Sequence, residues 1–268
     1  MELYQNRIVV KVGTSTLTNE IGKSDLRNFN KLACVLSDIQ NLGYEVILVS
    51  SGAIAVGSNK LNMKIRPTSM RLKQAAAAVG QCSLMHLYEK FFAEYNKTIG
   101  QILLNSEDIV EEEKKDNLIN TFNALLEMGV IPIVNENDSV SYTEIESEER
   151  LFGDNDMLSA VVAILCKAKK LVILSDIDGL YDCDPRLHTN AKLITEIEHI
   201  DKNTYKSAGG VGSRRGTGGM QTKLQAAELA SLQGIDTVIT NGKRPDVIYE
   251  IIKGQHSGTL FVGKKQTN

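Results

Sequence analysis

The sequence predicts an α/β fold with a mostly parallel central sheet sandwiched by helices. Short β-branched runs alternate along the chain with longer segments of helical periodicity. Strands that are separated by helices pair in parallel, and the helices then cover both faces of the sheet. The 268 residues contain four prolines and no linker rich in Ser, Gly and Pro. One α/β domain can therefore take up the whole chain.

The amino-terminal half begins with a predicted strand over residues 7–12 (RIVVKV), which runs into Gly13. A helix is predicted over residues 24–42, with Ser24 as its N-cap and Gly43 after its end. The alternation continues as strand 45–49, helices 68–79 and 83–95, strand 98–104, helix 114–128 and strand 131–134.

The carboxyl-terminal half is predicted to repeat this alternation. Residues 140–145 indicate part of a hairpin, and the glycine-rich residues 209–219 indicate a loop between ordered elements. The other predicted elements are helix 155–167, strand 171–174, helix 220–233 and strand 237–240.

Composition excludes several classes of function. The chain has 30 Lys and Arg against 33 Asp and Glu, a formal net charge of −3, so a nucleic-acid-binding protein is not expected. No apolar run approaches the roughly 18–20 residues of a membrane span, and the amino terminus lacks a secretory signal. The four cysteines form no CxxC pair and the four histidines show no paired spacing. We therefore expect a cytoplasmic protein with reduced thiols and no metal ligands of its own.

Two polar segments follow predicted strands in the first 60 residues. Lys11 lies near the carboxyl end of the first strand, where ligands bind in open α/β sheets, and Gly13 and three hydroxyl residues follow it. An ordinary loop with a surface lysine would look similar.

Ser50, Ser51 and Gly52 lie where the second strand meets a helix, so their amides could hold a carboxylate or phosphate. A simple helix N-cap accounts for this segment almost as well, and the pattern is not the GxSxG of a serine hydrolase.

Two acidic loops form the third feature. NENDSV (residues 135–140) follows a predicted strand, and GDND (residues 153–156) precedes a predicted helix. Carboxylates crowded at one site repel each other unless an amino group, a metal or lysines compensate them. Asp and Asn also favour turns and caps, and Asp154 is suited to cap the following helix.

Two later segments are suited to bind a nucleotide. GTGGMQTK (residues 216–223) combines exposed backbone amides, a helix N-terminus and Lys223, which is the chemistry of a phosphate cradle. It is not a Walker A motif, and no GxGxxG follows the first strand. LSDIDGLYDCDP (residues 174–185) could frame a purine and ribose, although an Asp-rich turn without a ligand would look similar.

Together these segments resemble the glutamate 5-kinases of the amino acid kinase family. The motifs that match, in order, are VVKVGTS, VSSGAIAVG, KQAAAAVGQ, NENDSV, GDNDMLSA, SDIDGLYDCDP and GTGGMQTK, which span residues 9–223. The resemblance implies the amino acid kinase fold and transfer of the ATP γ-phosphoryl group to the side-chain carboxylate of L-glutamate. The product would be L-glutamyl 5-phosphate, in the first step of proline biosynthesis.

The resemblance also implies roles for individual residues. Lys11 and Lys223 would contact the phosphates, and Asp156 would orient both lysines. Magnesium would be carried by the ATP, with no metal ligand from the protein. The implied substrate-binding residues are Ser51, Gly52, Asp138, Asp154 and Asn155, and the implied ATP-binding residues are Lys11, Ser175, Asp176, Thr217, Gly218, Gly219, Met220, Gln221, Thr222 and Lys223.

The resemblance further implies a single domain with a glutamate-binding half (about residues 1–165) and a nucleotide-binding half (166–268). Many members carry a C-terminal PUA domain; we expect none, because the sequence ends soon after residues 254–263. The implied partners are L-proline as a feedback inhibitor, glutamyl phosphate reductase as the recipient of the product, and further copies of the chain in a dimer or tetramer. A non-catalytic nucleotide-binding protein on the same fold and a kinase with another acceptor are the alternatives.

Overall fold

The computed structural model describes residues 1–19, 23–140, 154–207, 219–255 and 257–264. Its centre is an eight-stranded sheet in the order β3-β4-β2-β1-β5-β7-β8-β6. The strands are β1 (Tyr4–Val12), β2 (Glu45–Ser50), β3 (Ile99–Leu104), β4 (Ile131–Glu136), β5 (Ala168–Ser175), β6 (Glu196–Ile197), β7 (Asp236–Asn241) and β8 (Thr259–Phe261). The six strands from β3 to β7 in this order are parallel, and β8 joins β7 in antiparallel orientation.

Helices connect the strands and cover the sheet. They are α1 (Thr14–Leu17), α2 (Leu26–Asn41), α3 (Ala53–Lys60), α4 (Met70–Ala93), α5 (Glu107–Val110), α6 (Glu112–Glu127), α7 (Asn155–Leu165), α8 (Lys202–Ser207), α9 (Met220–Leu232) and α10 (Val247–Ile252). In the described ranges, none of these helices combines the length and the apolar character that a bilayer crossing requires.

Strand β1 shows how the sheet supports two separate cores. Successive side chains of a strand point to opposite faces. Val9 belongs to the core that α6, α7 and α9 cover, whereas Ile8 and Val10 belong to the core under α2, α4 and α10. Residues 7–12 of β1 are buried on both faces, and the centre of the strand is accordingly the apolar run IVV. Lys11 has the same parity as Val9 and therefore points toward α7 and α9.

The predicted α/β fold with a mostly parallel sheet is confirmed, and most elements lie within a few residues of the predicted ranges. Two details were wrong. The predicted helices 68–79 and 83–95 are one continuous helix, α4, and the N-cap of α2 is Asp25 rather than Ser24, since the Asp25 carboxylate accepts a hydrogen bond from the Asn28 amide. Residues 141–145 of the predicted hairpin and residues 209–218 of the glycine-rich loop lie outside the described residues.

Gly80 lies within α4 although glycine disfavours a helix, because α3 packs closely against α4 at this position. A Cβ atom on Gly80 would lie 1.8 Å from the Ala53 carbonyl oxygen, and one on Gly57 would lie 1.8 Å from the Ala76 carbonyl oxygen. The two backbones therefore touch at a crossing that admits no side chain. Glycine is required here by the neighbouring helix and not by its own conformational freedom.

We predict that Gly80→Ala destabilises the fold by about 2 kcal/mol or more, because an inserted methyl group must displace backbone at the crossing. Helix propensity alone predicts the opposite sign, a stabilisation of up to about 1 kcal/mol. Urea unfolding of both proteins measures the difference. Gly100→Ala is the control, since the three atoms nearest to its methyl group would be side-chain atoms of Leu125 and Val130 at 3.3–3.4 Å and not backbone. A Gly80→Ala protein as stable as the Gly100→Ala protein would contradict this account of the crossing.

Candidate active site

The carboxyl ends of the parallel strands meet at one edge of the sheet, and a buried ion-pair cluster lies there. Asp156, in the first turn of α7, forms a 2.5 Å ion pair through Oδ1 with Lys11 Nζ of β1. Its other oxygen, Oδ2, lies 2.9 Å from Lys223 Nζ of α9. Lys11, Asp156 and Lys223 are 6%, 1% and 7% exposed. One carboxylate thus joins two ammonium groups that are distant in sequence.

The charges of this cluster do not cancel. Burial would raise the pKa of Asp156, but the charges and hydrogen bonds of Lys11 and Lys223 outweigh burial and hold this pKa far below its usual range. Asp156 is therefore ionised at neutral pH. Two ammonium groups and one carboxylate leave a net charge of +1 in a region with little water, which favours binding of an anion.

The amino terminus of α9 adds further donors beside this cluster. Gly219 is the N-cap of α9, and no described side chain caps the helix. The Thr222 hydroxyl donates a hydrogen bond to Asp156 Oδ2 at 3.0 Å and lies the same distance from the Gly219 carbonyl. The first amides of a helix and its dipole favour a phosphate or carboxylate. Lys223 and the start of α9 thus present positive charge in the same direction.

The cap of α7 separates the roles of its two aspartates. Asp154 precedes the helix, and its Oδ1 accepts hydrogen bonds from the amides of Asp156 and Met157 at 3.0 and 3.1 Å. Asp154 therefore caps α7, and Asp156 is left to bind the lysines. Asp154 Oδ2 is buried and has no hydrogen-bond partner among the described residues.

Asn155 joins the ends of β2 and β4 at this edge. Its Nδ2, which has two hydrogens, lies within hydrogen-bonding distance of three acceptors: the Ser50 carbonyl at 3.2 Å, Ser51 Oγ at 3.0 Å and Asn135 Oδ1 at 3.0 Å. Asn155 Oδ1 is buried without a described partner. Gly52, next to Ser51, has a φ of 101°, a left-handed conformation that glycine adopts at little cost.

A cavity of about 470 Å³ opens between α4 and the ends of β3 and β4. Asn137, Asp138 and Ser139 line one side of it, and Ala77, Ala78 and Gln81 of α4 line the other. A volume of this order accommodates a small organic ligand. Asp138 of the NENDSV loop therefore lines a cavity large enough for a small ligand.

On the other side of β1 from β2 and β4, the end of β5 carries further polar groups. Ser175 is buried, and its hydroxyl donates to the Asp176 carboxylate at 3.2 Å. Asn241 at the end of β7 donates through its side-chain amide to Asp178 at 2.8 Å. No group of three or more His, Cys, Asp and Glu side chains in the described ranges is arranged to hold a metal ion.

The structure thus brings Lys11, Asp156 and Lys223 into contact and places Asn155 against Ser51. Thr217 and Gly218 lie outside the described residues. Met220 is partly buried and packs against the core that α7 and α9 cover. The polar supports of the site were not predicted. They are Asn135, which the sequence marked only as part of a loop, Gln81, which ends the matching motif KQAAAAVGQ without a predicted role, and Tyr88 in the same helix.

Comparison with known proteins places this geometry in a family. The chain is 53% identical to the glutamate 5-kinase of Clostridium perfringens (strain 13 / Type A) over 259 residues, which cover 97% of this chain and 96% of that protein. It is 50% identical to the glutamate 5-kinase of Listeria innocua serovar 6a over 260 residues, or 97% of this chain and 94% of that protein.

Solved structures with little sequence similarity share the fold. Carbamate kinase from Giardia lamblia, bound to AMP-PNP, has a TM-score of 0.68 at 15% identity and covers 96% of this chain and 98% of its own. UMP kinase from Bacillus anthracis has a TM-score of 0.63 at 16% identity, with 97% of both chains covered. The model of the amino acid kinase family matches residues 6–241. This chain therefore belongs to the amino acid kinase family.

Proposed function

We propose that this chain transfers the γ-phosphoryl group of ATP to the side-chain carboxylate of L-glutamate, giving L-glutamyl 5-phosphate and ADP as the first step of proline biosynthesis. About 50% identity to proteins named glutamate 5-kinase, over nearly the whole chain, supports the substrate. The observation that carries the reaction type is the buried Lys11–Asp156–Lys223 cluster with its surplus positive charge.

The chemistry needs no general base. A glutamate side chain has a pKa near 4.3, so its carboxylate is ionised at neutral pH and can attack directly. A carboxylate oxygen forms a bond to the γ-phosphorus, the bond from that phosphorus to the bridging oxygen breaks, and ADP leaves with the electron pair. Catalysis then consists of aligning the two reactants and stabilising negative charge on the transferring group.

The cluster supplies both requirements. Lys11 and Lys223 would contact the phosphate oxygens from two sides, and Asp156 holds the two ammonium groups at fixed positions. Donors that are already oriented need little reorganisation as charge moves in the transition state. Mg²⁺ bound to ATP would neutralise further phosphate charge; we assign it no ligand from this chain.

The glutamate would lie between the cavity and the cluster. Asp138, Asp154 and Asn155 provide oxygen acceptors that suit an ammonium group, and Ser51 and Gly52 provide a hydroxyl and backbone amides that suit a carboxylate. Binding of the α-ammonium and α-carboxylate groups on opposite sides would direct the side-chain carboxylate of the substrate toward the lysines.

The nucleotide would lie between the end of β5 and the start of α9. Its proposed contacts are Ser175, Asp176, Thr217, Gly218, Gly219, Met220, Gln221, Thr222, Lys11 and Lys223, of which Met220 would contribute backbone only. We accordingly assign residues 1–165 mainly to glutamate and 166–268 mainly to ATP.

We further propose that the protein is a cytoplasmic homo-oligomer that passes its product to glutamyl phosphate reductase. L-Proline would inhibit it by competing with glutamate for the contacts to the α-amino and α-carboxylate groups.

We predict that Mg-ATP and glutamate together give an acyl phosphate that hydroxylamine traps as a hydroxamate. Aspartate should give at least about tenfold less, because one missing methylene shortens the reach from the ammonium contacts to the lysines. The measurement is the hydroxamate yield over a panel of acids. Equal yields with aspartate or N-acetylglutamate would contradict the proposed acceptor, and no yield with any acid would favour a non-catalytic nucleotide-binding protein.

We predict that Asp156→Asn lowers kcat roughly a hundredfold, since the two lysines lose the charge that orients them. The chain offers a matched control in Asp236, whose carboxylate also lies near two lysines, Lys170 at 3.4 Å and Lys169 at 3.9 Å, but at the opposite edge of the sheet. Asp236→Asn should leave kcat within about twofold, in line with the small contribution of partly exposed ion pairs. Steady-state rates measure the loss of kcat in each variant, and melting temperatures show whether either variant is destabilised. Equal losses of kcat in Asp156→Asn and Asp236→Asn would refute the role of Asp156.

A further inference from the structure

The side-chain amides at the edge of the sheet form a chain with a defined direction. Asn155 Nδ2 donates to Asn135 Oδ1 at 3.0 Å, and Asn135 Nδ2 donates to Gln81 Oε1 at 2.9 Å. Gln81 comes from α4, so this chain links α7, β4 and α4. Asn135 is 1% exposed and Gln81 9% exposed, so neither can exchange these partners for water without rearrangement.

Two backbone groups set the direction of the chain. The Ser50 carbonyl can only accept, so the Asn155 atom that faces it must be the nitrogen. The Glu136 amide can only donate, and it lies 2.9 Å from the Asn135 oxygen that also accepts from Asn155. Asn135 must then turn its nitrogen toward α4, where an acceptor is required. Gln81 provides that acceptor through Oε1.

The same helix supports the neighbouring strand. The hydroxyl of Tyr88 lies 2.8 Å from Ser50 Oγ, and both groups are buried. Tyr88 follows Gln81 by seven residues, or two helical turns, so both side chains lie on one face of α4. Gly80 allows this face to approach the strand ends, because its missing side chain lets α4 touch the backbone of α3.

We propose that Gln81 is a positioning residue for the substrate: acting through Asn135, it fixes the amide of Asn155 so that Oδ1 faces the ligand. Loss of the Gln81 acceptor would leave Asn135 Nδ2 buried and unsatisfied, and Asn135 would turn to find another partner. Asn155 would then be held only by the Ser50 carbonyl and the Ser51 hydroxyl, and its Oδ1 would no longer be fixed toward the ligand. This inference rests on the proposed function, because it takes Asn155 as a substrate contact.

The test compares Gln81→Met, which keeps the length of the side chain and removes the acceptor, with Gln81→Glu, which retains it. We expect Gln81→Met to raise the KM for glutamate about tenfold, the effect of roughly one lost hydrogen bond, while the KM for ATP stays within about twofold. Gln81→Glu should recover most of the loss, to within about threefold of the unaltered protein. If the methionine variant does not fold, Gln81→Leu takes its place.

The matched control is Asn123→Leu, which removes a side-chain amide that accepts from Arg7 at 3.2 Å, away from the carboxyl edge of the sheet. It should change the melting temperature without changing the KM for glutamate. An unaltered KM for glutamate in Gln81→Met would overturn the inference. Equal increases in the KM values for glutamate and ATP would also overturn it, as would a Gln81→Glu protein as impaired as Gln81→Met. An unaltered protein that forms no hydroxamate with glutamate would instead overturn the proposed function, and the inference with it.

Discussion

The ion pairs of Asp156 with Lys11 and Lys223 are the interaction on which the arrangement of the site depends. Two buried ammonium groups would repel each other, and each would carry a desolvation cost, if no carboxylate lay between them. Asp156 therefore draws the end of β1 and the start of α9 to the start of α7. The same contact explains why the cluster keeps a surplus positive charge that an anionic ligand can neutralise. The same three charged side chains thus join these elements and leave a positive charge at the edge of the sheet.

A second constraint comes from the backbone contact between α3 and α4. Gly57 and Gly80 let the two helices touch, and this contact fixes the height of α4 above the strand ends. Gln81 and Tyr88 can then reach Asn135 and Ser50 with their polar groups. Small residues in the scaffold consequently determine polar geometry in the site. A substitution at the crossing is expected to disturb both the packing of α3 on α4 and the hydrogen bonds of Gln81 and Tyr88.

The sequence predicted the parts of this structure that have local causes. The β-branched run of β1 and the periodicity of α2 identify a parallel sheet with helices on both faces. Gly80 misled the prediction of α4, because a glycine weakens a helix locally and the compensating contact with Ala53 is distant in the chain. The cluster of Lys11, Asp156 and Lys223 has no local signature; its roles came from the resemblance to a family, and the contacts came from the structure. Gln81 ends the motif KQAAAAVGQ, but its contact with Asn135 could not be predicted because the two residues are 54 positions apart.

The central claim is that Lys11, Asp156 and Lys223 act as one unit, and a double-mutant cycle on kcat tests it most directly. The cycle compares Lys223→Met, Asp156→Asn and the double variant with the unaltered protein, using hydroxamate formation at saturating glutamate and ATP. Because Asp156 acts by holding the lysine, the double variant should lose little more than the more impaired single variant. Losses that multiply would show that Asp156 and Lys223 contribute independently and would contradict the account.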